Sequence, residues 1–345
     1  MLTIAIPTFA RAQKLSSSLH SLLVQTELAE LSSKQLRVMV SDNGSPDETP
    51  EVVARFAPQF RSIGVDFLGL RHDSNIGFGA NLGTCYQNCQ SEFIWYLADD
   101  DVLLSGAVKE VVSAVKNSSA GVHLFNFDQN PYDKNYPLIL RDMSFVGEDK
   151  YSGLEPLFRM PKLSSLVLRH TSGEANSIVS AMRGAQYFGH VTGAIEVLRH
   201  TDSVQHHTEF VASPNIDYLD HIRFPPYIGC LFNKEILDYC QSISDASVET
   251  DIVSFMSQCD AIRTCSSSIV RALLRRRPIR QIMDDKAQSE CDRILLSLLP
   301  WRESDPFVKM SSTDWSLKGM FVVSIAIALV ITKACSISFR WVGRK

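Results

Sequence analysis

The segment FIWYLADDD at residues 93–101 decides how the first third of the chain is organised. Five consecutive apolar residues, 93–97, are typical of a strand that is buried on both faces of a parallel sheet. Three consecutive carboxylates follow, and their mutual repulsion is costly unless a cation offsets it. The segment therefore predicts a buried strand that ends in a concentrated negative charge.

Strand and helix patterns alternate on both sides of this segment. Apolar runs predict further strands, and leucines at helical spacing after the first run predict a helix. Thr49 and Pro50 look like the N-cap and the first position of a second helix. The alternation predicts an α/β fold with a mostly parallel sheet and helices on both faces. The other predicted strands are 2–6, 36–40, 64–70 and 121–127, and the other predicted helices are 80–89 and 105–116.

Polar residues follow several of these strands. Asp42 follows the second strand, Asn75 the third and Asp99–Asp101 the fourth. Ligands bind beyond the carboxyl ends of parallel strands, so we expect these residues to share one crevice. Asp42 is suited to accept hydrogen bonds from a base or ribose, and Gly44 lets the backbone approach a ligand closely. The alternative for Asp42 is an Asx-turn.

The acidic triplet is a candidate metal site. Hard oxygen ligands on a short loop suit Mg²⁺ or Mn²⁺, which bind one or two carboxylates and complete their shell with substrate phosphates. The alternative is a solvated turn in which Asp101 or Ser105 caps the next helix. The position of the triplet directly after a buried strand, with Asp42 near a neighbouring strand end, favours the metal site.

A glycine-rich loop follows the third strand. Its spacing is Gly77-x-Gly79-x-x-x-Gly83, which differs from the dinucleotide fingerprint in spacing and in position. This disfavours a Rossmann dehydrogenase.

Over residues 1 to about 125 the chain resembles the family 2 glycosyltransferases, which have the GT-A fold. Four segments carry this resemblance, in the family's order and at about its spacing. They are Ile4-Ala5-Ile6-Pro7-Thr8-Phe9 with Arg11, Val40-Ser41-Asp42-Asn43-Gly44-Ser45 with Asp47 and Thr49, Asn75-Ile76-Gly77 with Asn81, and Trp95 to Asp101.

The resemblance implies a nucleotide-sugar donor and inversion at the anomeric carbon. It implies that Asp99 faces the donor and that Asp101, with Asp99, holds the metal that bridges the diphosphate. Ala10 departs from the family, which often has Asn before Arg11. The implied donor-binding residues are Pro7, Thr8, Arg11, Asp42, Asn43, Asn75, Gly77, Asn81, Asp99 and Asp100.

Sugar transfer from a diphosphate explains these residue types. Negative charge develops on the leaving phosphate, and a divalent cation such as Mn²⁺ or Mg²⁺ stabilises it electrostatically. A carboxylate is also needed to take a proton from the acceptor hydroxyl. The resemblance implies one base rather than a covalent nucleophile, because enzymes of this family invert the anomeric centre by direct displacement.

The acceptor half, residues 126–240, carries fewer signals. Leu163–Arg169, with Gly189-His190 after it, is similar to a strand in O-antigen-type members such as abequosyltransferase-like enzymes. Glu174 follows this strand and is the favoured base, with Asp149 as the alternative. The histidines show no recognised zinc spacing. The full set of base candidates is Glu148, Asp149, Glu174, Asp202, Asp217 and Asp220.

The charge of the chain is unevenly distributed. The net charge is −4, but residues 271–345 hold 14 basic and 7 acidic residues against 20 and 31 in residues 1–270. An acidic body disfavours nucleic-acid binding, whereas the basic tail suits an anionic surface. The eight cysteines are scattered and no signal peptide precedes them, so we expect reduced thiols in a cytosolic protein.

The tail carries two membrane signals. Five arginines lie among aliphatic residues at 271–280, and an apolar segment with a Trp lies at 294–301. Both suit a headgroup layer, and the alternative is an amphipathic helix packed on the enzyme. Residues 319–339 reach the length of a membrane span only with Lys333 inside or at one end. We expect a C-terminal anchor or an interfacial helix.

These patterns predict a GT-A domain at 1–240, a helical basic region at 241–318 and a membrane-associated helix at 319–345. The expected protein works at the cytoplasmic face of a membrane and transfers a hexosyl or deoxyhexosyl group to a polyprenyl-linked or other glycan acceptor in surface-polysaccharide assembly. Two alternatives stay open, a sugar-nucleotide pyrophosphorylase and an inactive glycosyltransferase-like binding protein. No Gly-rich, Lys-bearing loop follows the first strand, which disfavours the pyrophosphorylase.

Overall fold

A computed structural model describes residues 2–25, 36–128 and 138–215, together with seven residues between 235 and 243. Nearly all of them lie in one of the two compact units into which the chain divides, Met1–Ile222 with Tyr239–Ile252. The basic segment at 271–280 and the apolar segments at 294–301 and 319–339 lie outside the described residues. The domain boundaries at 240 and 318 stay predictions. No helix within the described ranges has both the length and the apolar character needed to cross a membrane.

The described residues form a nine-stranded sheet flanked by seven α-helices, with short 3-10 turns at Gly147–Leu154, Leu163–Ser165 and Ser172–Glu174. The strands are β1 (Leu2–Thr8), β2 (Leu36–Asp42), β3 (Asp66–Arg71), β4 (Phe93–Tyr96), β5 (Asp101–Leu103), β6 (Val122–Phe127), β7 (Met143–Val146), β8 (Leu166–Arg169) and β9 (Ser203–Pro214). The helices are α1 (Ala12–Leu23), α2 (Thr49–Ser62), α3 (Phe78–Gln87), α4 (Ala107–Val115), α5 (Glu155–Arg159), α6 (Ala175–Gly184) and α7 (Gly189–His200).

The sheet is mixed, which corrects the prediction of a mostly parallel sheet. Its order is β3-β2-β1-β4-β8-β6-β9-β5, with β7 paired to β9. The first four strands are parallel, as alternating strand and helix patterns predict. β8 then runs antiparallel to both β4 and β6, and β9 is antiparallel to β5 and β7. The prediction failed in this half because no two successive strands from β4 to β9 are neighbours in the sheet. A helix between two such strands therefore does not force a parallel pair.

The apolar runs of the first four strands form the core as predicted. All seven residues of β1 and all four of β4 are buried, and Trp95 is fully inaccessible. The apolar faces of α1 and α2 pack against each other and cover this part of the sheet. The acidic triplet departs from the prediction of a loop, because Asp101 begins the short strand β5.

The start of α2 also differs in detail from the prediction. The helix begins at Thr49, and the carboxylate of Asp47 accepts the hydroxyl of Thr49 at 2.6 Å and its backbone N–H at 3.2 Å. The other oxygen of Asp47 accepts the backbone N–H of Ala12 at 3.0 Å. One carboxylate therefore satisfies N–H groups at the first turns of both α1 and α2, where unpaired donors and the helix dipoles favour negative charge.

Glycines allow α3 to pack closely on α6 and α7. A Cβ on Gly79 would lie 2.2 Å from the carbonyl oxygen of Met182 and 2.4 Å from that of Ala185, and Gly189 approaches the same Met182 oxygen. The glycine-rich sequence that differs from a dinucleotide fingerprint thus serves helix packing.

We expect Gly79→Ala to lower the free energy of unfolding by about 1–3 kcal/mol, because both obstructing atoms are backbone atoms that cannot move without shifting α6. The matched control is Gly184→Ala in α6, where an added Cβ meets nothing within 4 Å. This control should be neutral or stabilising by up to ~1 kcal/mol. Urea denaturation measures both variants, and equal stability of Gly79→Ala and wild type would contradict the close helix contact.

Two histidines form a pair between β6 and β9, in which His123 is buried and His207 is half-buried. Nδ1 of His123 lies 2.9 Å from Nε2 of His207, and Phe93 packs against the His123 ring. Burial, with smaller contributions from the positive charges that His207 and Arg169 can carry, lowers the pKa of His123 to about 3. Burial also lowers the pKa of His207, against the opposing effect of Asp142 and Glu209.

Protein stability should therefore fall as the pH is lowered from about 6.5 towards about 3, because the unfolded chain binds a proton at His123 that the folded chain excludes. Replacing His123 with Leu should flatten the pH dependence of the free energy of unfolding over this window. His20→Gln, on the exposed face of α1, is the control and should keep the wild-type slope. A His123→Leu slope equal to that of the wild type would refute this assignment.

Candidate active site

Parallel pairing of β1, β2, β3 and β4 brings their carboxyl ends to one edge of the sheet. Thr8 ends β1, Asp42 ends β2, and the turn Ala98–Asp101 follows β4. β8 is antiparallel to β4, so its beginning, with Ser164 just before it, lies at this same edge. The strand ends therefore place polar residues from distant parts of the sequence together, as the strand order predicts for Asp42 and Asp99–Asp101.

The acidic triplet is held in a hydrogen-bonded turn. The backbone N–H of Asp101 donates to the carbonyl of Ala98 at 3.2 Å, which makes Asp99 and Asp100 the two central residues of a four-residue turn. The carbonyl of Asp100 accepts the N–H of Asn215 at 3.0 Å, just beyond the end of β9. These two hydrogen bonds fix the backbone of the triplet at Asp100 and at Asp101.

Asp99 is buried, with 4% of its surface exposed. The hydroxyl of Thr8 donates to Oδ2 at 2.7 Å, and Arg11 donates to Oδ1 at 2.8 Å. Burial raises the pKa of Asp99, and the Arg11 charge opposes this effect. In turn, the Asp99 charge raises the pKa of Arg11. Three residues from the predicted donor site therefore form one ion pair with a supporting hydroxyl.

Asp100 lies nearer to solvent than its neighbours. Arg11 also reaches its Oδ2 at 3.2 Å, and Nζ of Lys14 lies 3.7 Å from the same oxygen. Sequence reasoning did not single out Lys14. The sequence feature that could have indicated Lys14 is its spacing from Arg11. A separation of three residues puts both cations on one face at the start of α1.

Asp101 is the second buried carboxylate, at 6% exposure. The hydroxyl of Ser164 donates to its Oδ2 at 2.6 Å. Burial, reinforced by the Asp100 charge, raises the pKa of Asp101 to about 7. A nearby cation would favour its charged form.

Asp42 is the third buried carboxylate of this edge. Its Oδ1 accepts the backbone N–H of Ser45 at 2.9 Å, so the Asx-turn alternative is present. Its Oδ2 accepts Arg71 at 2.8 Å, a partner that sequence reasoning missed. Asp42 and Arg71 are paired in register at the ends of β2 and β3, and opposite charges at matching strand ends are the signal that could have found this pair.

The loops next to Asp42 are tied to each other. Nδ2 of Asn43 donates to Oδ1 of Asn75 at 3.0 Å, and its Oδ1 accepts the N–H of Ile76 at 2.9 Å. The N–H of Gly77 also donates to Oδ1 of Asn75. Gly44 has a φ of +73°, and a Cβ there would meet the backbone of Ser74 at 2.7 Å. The close approach expected at Gly44 is therefore made by the protein chain itself.

Two of the residues predicted to bind the sugar donor lie beneath the surface of the site. Asn81 donates to the carbonyl of Ser41 at 3.0 Å and accepts its hydroxyl at 2.6 Å, which fixes the end of β2. Pro7 lies within β1 beside Ser41 and is buried. Both residues support the site from inside the fold.

The favoured base candidates lie at the opposite end of the sheet. Glu174 follows the carboxyl end of β8, whose Arg169 pairs with Phe93 at the start of β4. Asp149 follows β7, whose Val146 pairs with Ser203 at the start of β9.

A base must reach the acceptor hydroxyl at the reacting carbon. The structure does not bring Glu174 or Asp149 to the acidic turn, so the sheet topology argues against both. The same end holds Glu148 and Asp202, whereas Asp217 and Asp220 lie outside the described residues.

Within the described residues, no three His, Cys, Asp or Glu side chains form a cluster that would hold a metal by themselves. The donor set still suits Mg²⁺ or Mn²⁺. Asp99 lies within one tight turn and Asp101 ends it. These ions bind one or two carboxylates and take their remaining ligands from phosphate and water. The residues present therefore fit a metal that arrives with a diphosphate.

Comparisons with known proteins agree with this geometry. Residues 3–164 match a family model described as Glycosyl transferase family 2. No curated protein matches the chain.

Solved structures with a similar fold share little sequence with this chain. Residues 1–349 of S. aureus TarS, in complex with UDP-GlcNAc, are 12% identical with a TM-score of 0.55, covering 85% of this chain and 79% of that one. The same protein with UDP has a TM-score of 0.54 at 12% identity, covering 87% and 81%. The mannosyltransferase PcManGT from Pyrobaculum calidifontis, in complex with GDP-Man and Mn²⁺, has a TM-score of 0.51 at 12% identity, covering 94% and 86%.

The structural likeness shows a GT-A-like fold, a mixed α/β sheet flanked by helices. The family match is therefore a similarity of residues 3–164 to family 2 glycosyltransferases, and the solved structures add a likeness of fold.

Ala10 stands where the family that the chain resembles often has Asn, and its backbone conformation is unusual. Ala10 has a φ of +53°, in the left-handed region, and its N–H donates to Oγ of Ser45 at 2.8 Å. Asn is enriched several-fold in this region, whereas Ala pays a steric cost.

We expect Ala10→Asn to raise the free energy of unfolding by about 0.5–1 kcal/mol, because Asn tolerates the left-handed conformation better than Ala. Ala10→Val should lower stability, since a β-branched residue fits this region worst. Thermal unfolding of the two variants and the wild type gives the order. If Ala10→Val is as stable as Ala10→Asn, the positive φ is not present in the protein.

Proposed function

We propose that this protein is an inverting, metal-assisted glycosyltransferase. It moves a hexosyl or deoxyhexosyl group from a UDP- or GDP-sugar to a hydroxyl of a lipid-linked or glycan acceptor. The observation that carries the proposal is the acidic turn after β4, which places buried Asp99 and Asp101 at the edge of the sheet where Asp42 also lies.

The nucleotide would lie over the ends of β1, β2 and β3. A carboxylate has about four acceptor sites, so Asp42 can accept a base or ribose group besides Arg71 and the Ser45 N–H. Large apolar side chains stand exposed nearby, at 39% for Phe9 and 42% for Ile76 on the neighbouring loops and 38% for Phe78 at the start of α3. A planar base can stack on such surface.

Asp99 and Asp101 would hold the metal, which supplies electrostatic stabilisation of the leaving diphosphate. Arg11 and Lys14 put two positive charges beside the same turn, within reach of phosphate oxygens. Thr8 keeps one Asp99 oxygen oriented by its hydroxyl. These residues together would stabilise the negative charge that develops on the diphosphate as it leaves the sugar.

The base and the acceptor belong to the less described half of the protein. Asn215 brings the chain from β9 back to the acidic turn, and Asp217 and Asp220 follow it in the sequence. The other predicted base candidates lie at the far end of the sheet, whereas Asp217 and Asp220 lie outside the described residues. We therefore propose them ahead of Glu174 and Asp149 for substitution.

The subtype of transferase and the attachment to a membrane are proposed from the sequence. Likeness to O-antigen-type transferases comes from residues 163–169 and from Gly189-His190. Attachment of the protein to the cytoplasmic face of a membrane comes from the basic and apolar tail. Both are proposed together with a role in surface-polysaccharide assembly.

A panel of UDP- and GDP-sugars, each with and without Mn²⁺, identifies the donor by thermal shift, because a ligand that binds the folded state stabilises it. With that donor, Asp101→Asn should reduce sugar transfer or donor hydrolysis at least ~100-fold, since it removes the charge that the metal needs. Release of the nucleoside diphosphate is the measured quantity.

Glu110→Gln, at an exposed position on α4, is the matched control and should keep wild-type turnover. Equal turnover by Asp101→Asn and wild type would refute metal-assisted transfer at this site. Release of pyrophosphate from a nucleoside triphosphate would instead identify a pyrophosphorylase. Binding of a nucleotide sugar that is unaffected by Mn²⁺ and leads to no turnover would identify a binding protein.

A further inference from the structure

Ser164 is a fully buried residue that contacts the acidic turn from the other half of the sheet. It lies in the 3-10 turn before β8, 63 residues after Asp101 in the sequence. No local pattern singles it out, because its neighbours Leu163 and Ser165 complete an ordinary apolar and polar run. Three polar contacts connect Ser164 to the acidic turn and to the strand before it.

The hydroxyl of Ser164 bridges the two ends of the turn. It donates to Oδ2 of Asp101 at 2.6 Å and accepts the backbone N–H of Ala98 at 3.0 Å. A hydroxyl has one donor and two acceptor positions, so both bonds form at once. Because Ala98 and Asp101 are the first and last residues of the turn, one side chain sets both its backbone and the carboxylate at its end.

The backbone of Ser164 makes a third contact, to the strand β4 that precedes the acidic turn. Its carbonyl accepts Nε1 of Trp95 in β4 at 2.9 Å. Residues 95, 98 and 101 are thus all bonded to Ser164. The segment from the end of β4 to the start of β5 is therefore tied at three points to one residue.

The segment that holds Ser164 is itself fixed. His190, near the start of α7, contacts the carbonyl of Pro161 through Nε2 at 3.1 Å, and Ser165 donates to the carbonyl of Lys162 at 2.8 Å. Both His190 and Ser164 are buried. The position of the Ser164 hydroxyl is therefore determined by helix packing in the acceptor half.

We propose that Ser164 is a positioning residue that orients the Asp101 carboxylate for the divalent cation, and so couples the acceptor half to the donor site. This inference rests on the proposed function. Groups that hydrogen-bond to a metal ligand fix its orientation, and their removal typically weakens metal binding 10- to 100-fold. In wild type, Oδ2 is held by Ser164 and the plane of the carboxylate is set before any ligand arrives.

The test measures Mn²⁺ binding itself. Free Mn²⁺ is titrated by electron paramagnetic resonance into wild type and variants with UDP present, and separately with GDP present. Ser164→Ala should weaken Mn²⁺ binding about 10-fold or more. If Ser164→Ala does not fold, Ser164→Cys keeps the size of the side chain and replaces the hydroxyl with a weak donor, with the same expected direction.

Ser165→Ala is the matched control, since its hydroxyl bonds the Lys162 carbonyl on the same segment. It should keep wild-type Mn²⁺ affinity. If Ser164→Ala or Ser164→Cys binds Mn²⁺ as wild type does, or if Ser165→Ala weakens binding equally, this inference is overturned and the proposed function stands. If wild type binds no Mn²⁺ with either nucleotide, both the inference and the metal part of the proposed function are overturned.

Discussion

The burial of carboxylates at the end of an apolar strand is the constraint on which the candidate site depends. Asp42, Asp99 and Asp101 are each at least 94% buried, and an unpaired charge in such a position is strongly unfavourable. Each therefore has a specific partner, namely Arg71 for Asp42, Thr8 and Arg11 for Asp99, and Ser164 for Asp101. The fold must deliver these partners to one edge of the sheet.

The partners come from opposite parts of the sheet. Parallel β1 and β3 supply Thr8 and Arg71, and the turn after β1 supplies Arg11. The antiparallel strand β8 supplies Ser164, because its beginning lies beside the end of β4. The change from parallel to antiparallel pairing is therefore part of the site. A wholly parallel sheet would put the end of β8, with Arg169, at this edge.

Much of the donor half could be predicted from sequence. Residues 93–97 are apolar and lie before three carboxylates, so both the buried strand and its charged end were predictable from local pattern. The mixed sheet was not predictable in this way, because β7, β8 and β9 pair with strands far away in the sequence. Glu174 illustrates the consequence. It follows β8, which covers only Leu166–Arg169 of the predicted strand, and β8 runs in the direction that carries Glu174 away from the acidic turn.

The sequence by itself determined the strand ends that carry Thr8, Asp42 and Asp99–Asp101, since hydrophobic runs and the polar loops after them are local signals. Only the tertiary structure decided that Ser164 and Arg71 hold the buried carboxylates, that Gly44 and Gly79 accommodate other parts of the chain, and that Asn81 supports β2 from within. Strand direction and hydrogen-bond partners depend on which distant segments meet, and a local pattern contains no information about that. The physical reason is that buried charge must be satisfied by whatever the fold brings within about 3 Å, wherever it lies in the chain.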